Sequence, residues 1–215
     1  MTALDGPSSG RPRGTPEEVA NFDRQVAQVL QVLDHLAIAH PMVAGFEADD
    51  VMGTLATAAA AARLPVTIVS GDRDLLQVVG PQVALFMPKG QQGDVYTPAA
   101  VTERWGVRPA QIPDLKALMG DPSDHIPGVP GIGPKTAAAL LARHETLDAL
   151  YATLPALPAR QADALRAHRE RAFLNRRLVT IVTTVDLPTA LAAYRWTSAD
   201  TWTAGTLLAA LGLRG

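Results

Sequence analysis

The chain has 215 residues, 47% of them hydrophobic, and a formal net charge of −2. That suffices for a packed core in one large or two small domains, and the balance argues against a protein that coats nucleic acid indiscriminately. The absence of cysteine excludes disulfides and thiolate metal sites, and no apolar run approaches the roughly 20 residues of a membrane span.

Met1-Thr2-Ala3-Leu4-Asp5 lacks the basic and apolar regions of a signal peptide. A soluble cytoplasmic protein without contact to a membrane is expected. The charge is uneven. Residues 1–110 hold 8 Lys and Arg against 12 Asp and Glu, and residues 111–215 hold 11 against 9. If metal neutralised the clustered acids named below, both halves would turn positive, which suits a phosphate-binding face.

Residues 1–16 are rich in Gly, Pro, Ser and Arg and read as a mobile arm. Thr15-Pro16-Glu17-Glu18 supplies a cap, a first-position proline and first-turn acids. Phe22, Val26, Val29, Leu30, Leu33 and Leu36 follow at helical spacing, which predicts an amphipathic helix over 17–38. Pro41 to Phe46 is short and apolar, an edge strand or a connection. Glu47-Ala48-Asp49-Asp50 opens a second helix to about Arg63. Acids suit the positive end of a helix, but three of them beside Val51, Met52 and Leu55 put charge where burial begins.

Val66-Thr67-Ile68-Val69-Ser70 has the β-branched pattern of a buried parallel strand. Gly71-Asp72-Arg73-Asp74 follows it. Read alone this is an Asp-rich turn; at the carboxyl end of a parallel strand it is also where open sheets bind ligands. Val83–Met87 reads as the next strand, and Asp94-Val95-Tyr96 closes a hairpin after Lys89-Gly90-Gln91-Gln92-Gly93. Thr97-Pro98 caps a helix through Trp105.

From Pro109 the period is helical. Helices are expected from Ile112 to Met119, ending at Gly120, from Lys135 to Arg143, over Leu147–Leu154 and over Pro158–Arg169. Arg160, Arg166, Arg169, Arg171, Arg176 and Arg177 make the last long helical region basic. Val179–Val185 reads as a strand or extended segment. Residues 186–215, with Trp196, Trp202 and the apolar Leu207–Leu213, read as packing.

The stretch from Asp121 to Thr136 carries the densest chemistry. Asp121 and Asp124 stand three apart and can hold a metal ion. Gly131-Ile132-Gly133-Pro134-Lys135 then turns into a helix. Glycines let the backbone approach an anion, and amides at a helix start point at it. On its own a Gly-x-Gly before a helix is an ordinary turn; the acids upstream give it weight. No Ser/His/Asp nucleophile system is visible, and the five histidines show no ligand spacing.

Three segments, taken together and in this order, resemble the 5′-nuclease family of flap endonucleases and 5′→3′ exonucleases, most of all the nuclease domain attached to bacterial DNA polymerase I. They are Gly45-Phe46-Glu47-Ala48-Asp49-Asp50-Val51, then Ser70-Gly71-Asp72-Arg73-Asp74-Leu75-Leu76-Gln77, then Lys116 to Ala137 with Gly120-Asp121-Pro122-Ser123-Asp124-His125-Ile126-Pro127-Gly128-Val129-Pro130-Gly131-Ile132-Gly133 inside it. His125 stands where the family often has asparagine, and Phe46 where it often has tyrosine.

The resemblance implies an α/β fold: a PIN-like, mostly parallel sheet with flanking helices (residues 17–108), then a helical helix–three-turn–helix domain of the helix-hairpin-helix kind (residues 109–215). It implies two divalent cations, Mg²⁺ or Mn²⁺, with Glu47, Asp49, Asp50, Asp72 and Asp74 mainly around the first and Asp121 and Asp124 mainly around the second. Asp49, Asp72, Asp74 and Asp121 are the implied catalytic carboxylates. Gly128, Gly131, Ile132, Gly133, Lys135 and Thr136 are the implied grip on duplex or branched DNA, with K⁺ at the Gly131–Lys135 turn. No organic cofactor is implied. Expected surroundings are the nucleoid and a DNA polymerase encoded separately.

The family carries more chain before the first motif than the 44 residues that precede Gly45 here. That portion holds a first strand, basic residues for the scissile phosphate and a helical arch. Weak or absent nuclease activity is therefore expected of this chain, and a non-catalytic DNA-binding remnant is the rival reading. A PIN-like nuclease acting on RNA is a third, disfavoured by the duplex-gripping turn.

Overall fold

The computed structural model describes residues 14–188 and 190–196. The mobile arm expected before Gly14 and the apolar stretch Leu207–Leu213 lie outside the described residues. The chain divides into two compact units, one of residues 1–51 and 185–215, the other of 52–184.

In the first unit, α1 runs Pro16–His35. The Thr15 hydroxyl accepts from Glu18 N at 3.3 Å, and Glu18 Oε2 accepts from Thr15 N at 2.6 Å, a reciprocal capping box. The helix ends three residues before the expected Ile38. Ala37 turns left-handed (φ 53°) and Ile38 N donates back to Leu33 O at 2.9 Å, which closes the last turn. None of its residues is buried, and Phe22 is 65% exposed, so the apolar stripe is real but uncovered among the described residues. Trp196, read from sequence as packing, donates its indole N–H to Leu36 O at 2.8 Å and so satisfies a carbonyl just past the helix end. Pro41–Phe46 is a connection and forms no strand. The Asp50 carboxylate accepts from Glu47 N at 3.1 Å and opens α2, Ala48–Ala61.

In the second unit, β1 (Val66–Val69) pairs parallel with β2 (Val83–Lys89), which pairs antiparallel with β3 (Gln92–Tyr96). The β2–β3 hairpin is tighter than the sequence suggests: both strands run to the turn, with Lys89 opposite Gln92 and Gly90 at φ 59°. β1 is buried on one face only. Ile68 faces the core, whereas Thr67 and Val69 are exposed, a correction to the reading of a fully buried strand.

α3 (Pro98–Trp105) starts under the Thr97 cap and stops at left-handed Gly106. Then come α4 (Ile112–Met119), a short antiparallel pair of β4 (Gly120–Asp121) and β5 (Ile126–Pro127), α5 (Pro134–His144), α6 (Leu147–Ala152), α7 (Ala159–Ala167) and α8 (Arg169–Val179). One core spans this unit: Leu75, Leu76 and Leu85 from the sheet side join Ile112, Leu118, Leu141, Leu150 and Leu165 from the helices. α4 packs against α5 and α8 at its centre. Residues 180–184 form no strand. Instead Gln77 Nε2 donates to Val179 O at 2.8 Å and its Oε1 accepts from Ile181 N at 3.0 Å, so one side chain takes the place of a strand neighbour.

Two glycines fix the exit of α4. A Cβ on Gly120 (φ 82°) would lie 2.4 Å from Gly128 N, and one on Gly128 would lie 2.3 Å from the Met119 carbonyl carbon. Gly90 is also left-handed but faces open space. Gly120→Ala combines strain with a backbone clash and should cost roughly 2–4 kcal/mol, against about 1 kcal/mol for Gly90→Ala. Urea titrations of the two variants should rank them in that order; equal midpoints would remove the packing argument.

Candidate metal centre and phosphate turn

Asp74 begins the one-turn 3-10 helix Asp74–Val78 after β1, and α4 with β4 delivers Lys116 and Asp121. Carboxylate oxygens of Asp74, Asp121 and Asp124 lie within 4.8 Å of one another. Asp121 is 5% exposed, whereas Asp124 is exposed on the turn that follows. Asp121 is held on both sides. Its Oδ1 accepts from the Ser123 hydroxyl and from Ser123 N at 3.0 Å, and its Oδ2 meets Lys116 Nζ at 2.5 Å. The same ammonium presses against Asp74 Oδ1. That oxygen is buried, and the Lys116 ion pair is its one contact with a polar group among the described residues.

Burial pushes the Asp121 carboxyl up, but the hydrogen bonds and charge of Lys116 and the bonds from Ser123 outweigh it and hold the group below its ordinary value. Asp114, on α4, goes the other way. Burial raises it, against an opposing hydrogen bond from Leu147 N at 2.8 Å and the Arg176 guanidinium at 3.5 Å.

The other expected acids take local roles. Asp72 is exposed, and its Oδ1 accepts from Asp74 N at 2.8 Å in an Asx turn. Glu47, Asp49 and Asp50 open α2 in the first unit. The resemblance puts Asp74 mainly with those acids; the structure groups it with Asp121 and Asp124. Lys116 lies within the third motif, and the sequence reading assigns it no role. Its signal was a lone lysine between Leu115 and Ala117-Leu118, where the helical period demands core.

The hard oxygens and the buried Asp74 Oδ1 suit a divalent cation, and the lysine ammonium already stands in for one. Beyond Asp124, the chain returns through β5 to the turn. Val129 N donates to Leu118 O at 2.8 Å, and the buried side chains of Val129 and Ile132 root the turn in the core. Ile132 can therefore offer a ligand only its backbone, and Gly128 serves close packing. Gly131 (φ 81°), Gly133 and Lys135 are exposed and Thr136 is half-buried. α5 starts at Gly133 without a side-chain cap, which leaves its first amides to an anion.

Two family models match end to end: the 5′-3′ exonuclease N-terminal resolvase-like domain over residues 10–106, and the 5′-3′ exonuclease C-terminal SAM fold over 107–202. The chain belongs to the 5′-3′ exonuclease family. Within it, the chain is 42% identical over 170 residues to DNA polymerase I of Mycobacterium leprae, covering 78% of this chain and 19% of that protein. It is 46% identical over 139 residues to DNA polymerase I of Bacillus caldotenax, covering 63% and 16%. The chain thus spans about a fifth of the length of the curated relatives it matches. Among solved structures it resembles T5 5′-exonuclease with bound divalent zinc ions (TM-score 0.66, 28% identity, 80% of this chain and 64% of that one). It also resembles the bacteriophage T5 flap endonuclease in a pseudo-enzyme–product complex with DNA and metal ions (TM-score 0.66, 27% identity, 93% and 73%). These matches establish the α/β exonuclease fold read from the motifs.

The lowered Asp121 pKa sets a pH signature for the metal-free protein. A carboxyl whose folded pKa lies below its unfolded value of about 3.9 contributes stability that is full above that value and lost as pH falls through the folded pKa. In EDTA, the stability advantage of the native chain over Asp121→Asn should hold from neutral pH down to about pH 4 and shrink below it. Denaturant titrations across that range check this, and an advantage that grows with acid would contradict it.

Proposed function

We propose that this chain is a metal-dependent 5′→3′ nuclease that hydrolyses phosphodiester bonds of branched or nicked DNA. The observation that carries the reading is the convergence of Asp74, Asp121 and Asp124, followed in the chain by an exposed glycine turn and an uncapped helix start. A divalent ion bound there, Mg²⁺ or Mn²⁺, would lower the pKa of water and offset the charge of the scissile phosphate.

The chain's own residues supply the rest. Asp74, Asp121 and Asp124 offer hard oxygens for an ion, and Ser123 and Lys116 hold Asp121 in its orientation. Glu47, Asp49, Asp50 and Asp72 are the further carboxylates proposed as metal ligands. The amides of the Gly131–Thr136 turn and the Lys135 charge bind the duplex backbone, with K⁺ as the proposed monovalent ion at the turn. In this division of labour residues 17–108 carry the nuclease core and 109–215 the DNA grip, in the cytoplasm and on the nucleoid. A polymerase encoded separately is the proposed partner. No described helix is long and apolar enough to cross a membrane.

Duplex binding without hydrolysis is the second reading. It draws support from Lys116, whose ammonium pairs with Asp74 and Asp121 and so occupies oxygens that an ion would need.

A labelled 5′-flap duplex with excess Mn²⁺ separates the readings. Even weak Mn²⁺-dependent cleavage by the native chain, falling at least about 100-fold in Asp72→Ala/Asp121→Ala, would select the nuclease reading. No cleavage with duplex binding intact would select the second reading.

Binding itself should follow the turn and not the acids. Gly131→Val/Lys135→Glu should weaken duplex affinity, whereas Asp121→Ala should leave it intact or tighter, because it removes a negative charge near DNA. All affinities are compared at one salt concentration. Equal loss in both variants would defeat the division between grip and metal site.

A further inference from the structure

Lysine is almost never buried unless paired, yet Lys116 is 7% exposed on a helix whose neighbouring positions Leu115, Ala117 and Leu118 are core. Its side chain ends between Asp74 and Asp121, two of the three carboxylates of the candidate metal group. The two contacts differ in kind. Asp121 is the fixed side, because both its oxygens are engaged, one by Ser123 and one by Lys116. Asp74 is the side held by Lys116 alone, because its buried Oδ1 meets the ammonium and no hydrogen bond to its carboxylate stands beside that ion pair among the described residues.

We propose that Lys116 is a built-in counter-cation of this centre, which holds Asp74 and Asp121 together without metal and yields Asp74 to an arriving divalent ion while keeping Asp121. The physical ground is like-charge repulsion. Crowded, half-desolvated carboxylates raise one another's pKa and push apart unless a cation sits among them. The ammonium provides that charge within the folded chain, so the pocket stays assembled when empty. It also competes with the ion for Asp74. The charge count fits the exchange: three carboxylates and one ammonium leave −2, which one divalent ion neutralises.

Lys116 is therefore a positioning residue that sets metal affinity, and the proposal rests on the metal-binding reading above. The test uses Mn²⁺ alone, without DNA, and reads free Mn²⁺ by electron paramagnetic resonance beside thermal melts. Lys116→Met should bind Mn²⁺ about tenfold tighter or more, because a buried ion pair no longer has to be broken. Its melting temperature should fall in EDTA and rise further with Mn²⁺ than that of the native chain.

If Lys116→Met unfolds in EDTA, refolding on addition of Mn²⁺ would support the proposal equally, since the ion replaces the lost charge. Lys116→Gln serves as the milder variant. Failure of both variants to fold even in Mn²⁺ would overturn the proposal. So would native chain and folded variants binding Mn²⁺ with equal affinity. If the native chain binds no Mn²⁺, the metal reading falls and this proposal with it; if the native chain binds and the variants bind no tighter, only the role of Lys116 falls.

Discussion

Negative charge crowded against a hydrophobic core has to be balanced, and the second compact unit is arranged around that balance. Asp74 and Asp121 meet at the end of α4, where Lys116 from the same helix supplies the opposing charge. The arrangement works only if α4 stops where it does. Gly120 lets the chain turn with φ 82°, and Gly128 lets β5 pass within backbone contact of the helix end. Together they put Asp121 two residues beyond the helix, beside Asp74, and return the chain toward the glycine turn. The acidic group and the phosphate turn therefore belong to one folded segment.

The same unit orients its helices with buried polar side chains that bond to backbone. Asn175 of α8 donates to Pro127 O at 2.8 Å and to Ala117 O at 3.3 Å, which ties α8 to both α4 and β5. Gln111 donates to Leu141 O at 3.1 Å and Glu145 O at 2.8 Å and closes the end of α5. Asp114 accepts from Leu147 N and closes the start of α6. Each satisfies a helix-end group that burial would otherwise leave costly. The arginines of α7 and α8 are not all free for DNA on this account. Arg176 is bound to Asp148 at 2.5 Å and lies over the Phe173 ring, and Arg169 stacks on the same ring at 4.8 Å. Arg160, Arg171 and Arg177 remain exposed.

Much of the local structure was legible in single residues. Thr15-Pro16 starts α1, Thr97-Pro98 and Gly106 bound α3, Gly120 ends α4, and Gly133-Pro134 opens α5, each as its sequence suggests. Caps and stops act within one turn of chain, so the residues that decide them are neighbours in sequence. The three motifs likewise named the family, because their order and residue types are properties of the string itself.

What the string could not decide was which distant groups meet. The resemblance set Asp74 with Glu47, Asp49, Asp50 and Asp72; packing brought it instead to Asp121 and Asp124, while Asp72 bonds backbone in a turn and Glu47, Asp49 and Asp50 open a helix. A β-branched run at Val66–Val69 predicted burial on both faces, but burial depends on what lies above the strand, and only the Ile68 side is covered. The apolar Val179–Val185 suggested a strand or an extended segment; residues 180–184 form no strand, and backbone groups here bond to Gln77, a residue far away in the chain. Lys116 was simply one lysine in an apolar helix until the fold set it between two carboxylates. Caps, turns and motif order are short-range and were fixed by the sequence alone; the convergence of charge is long-range and was decided by how α4 packs in the core.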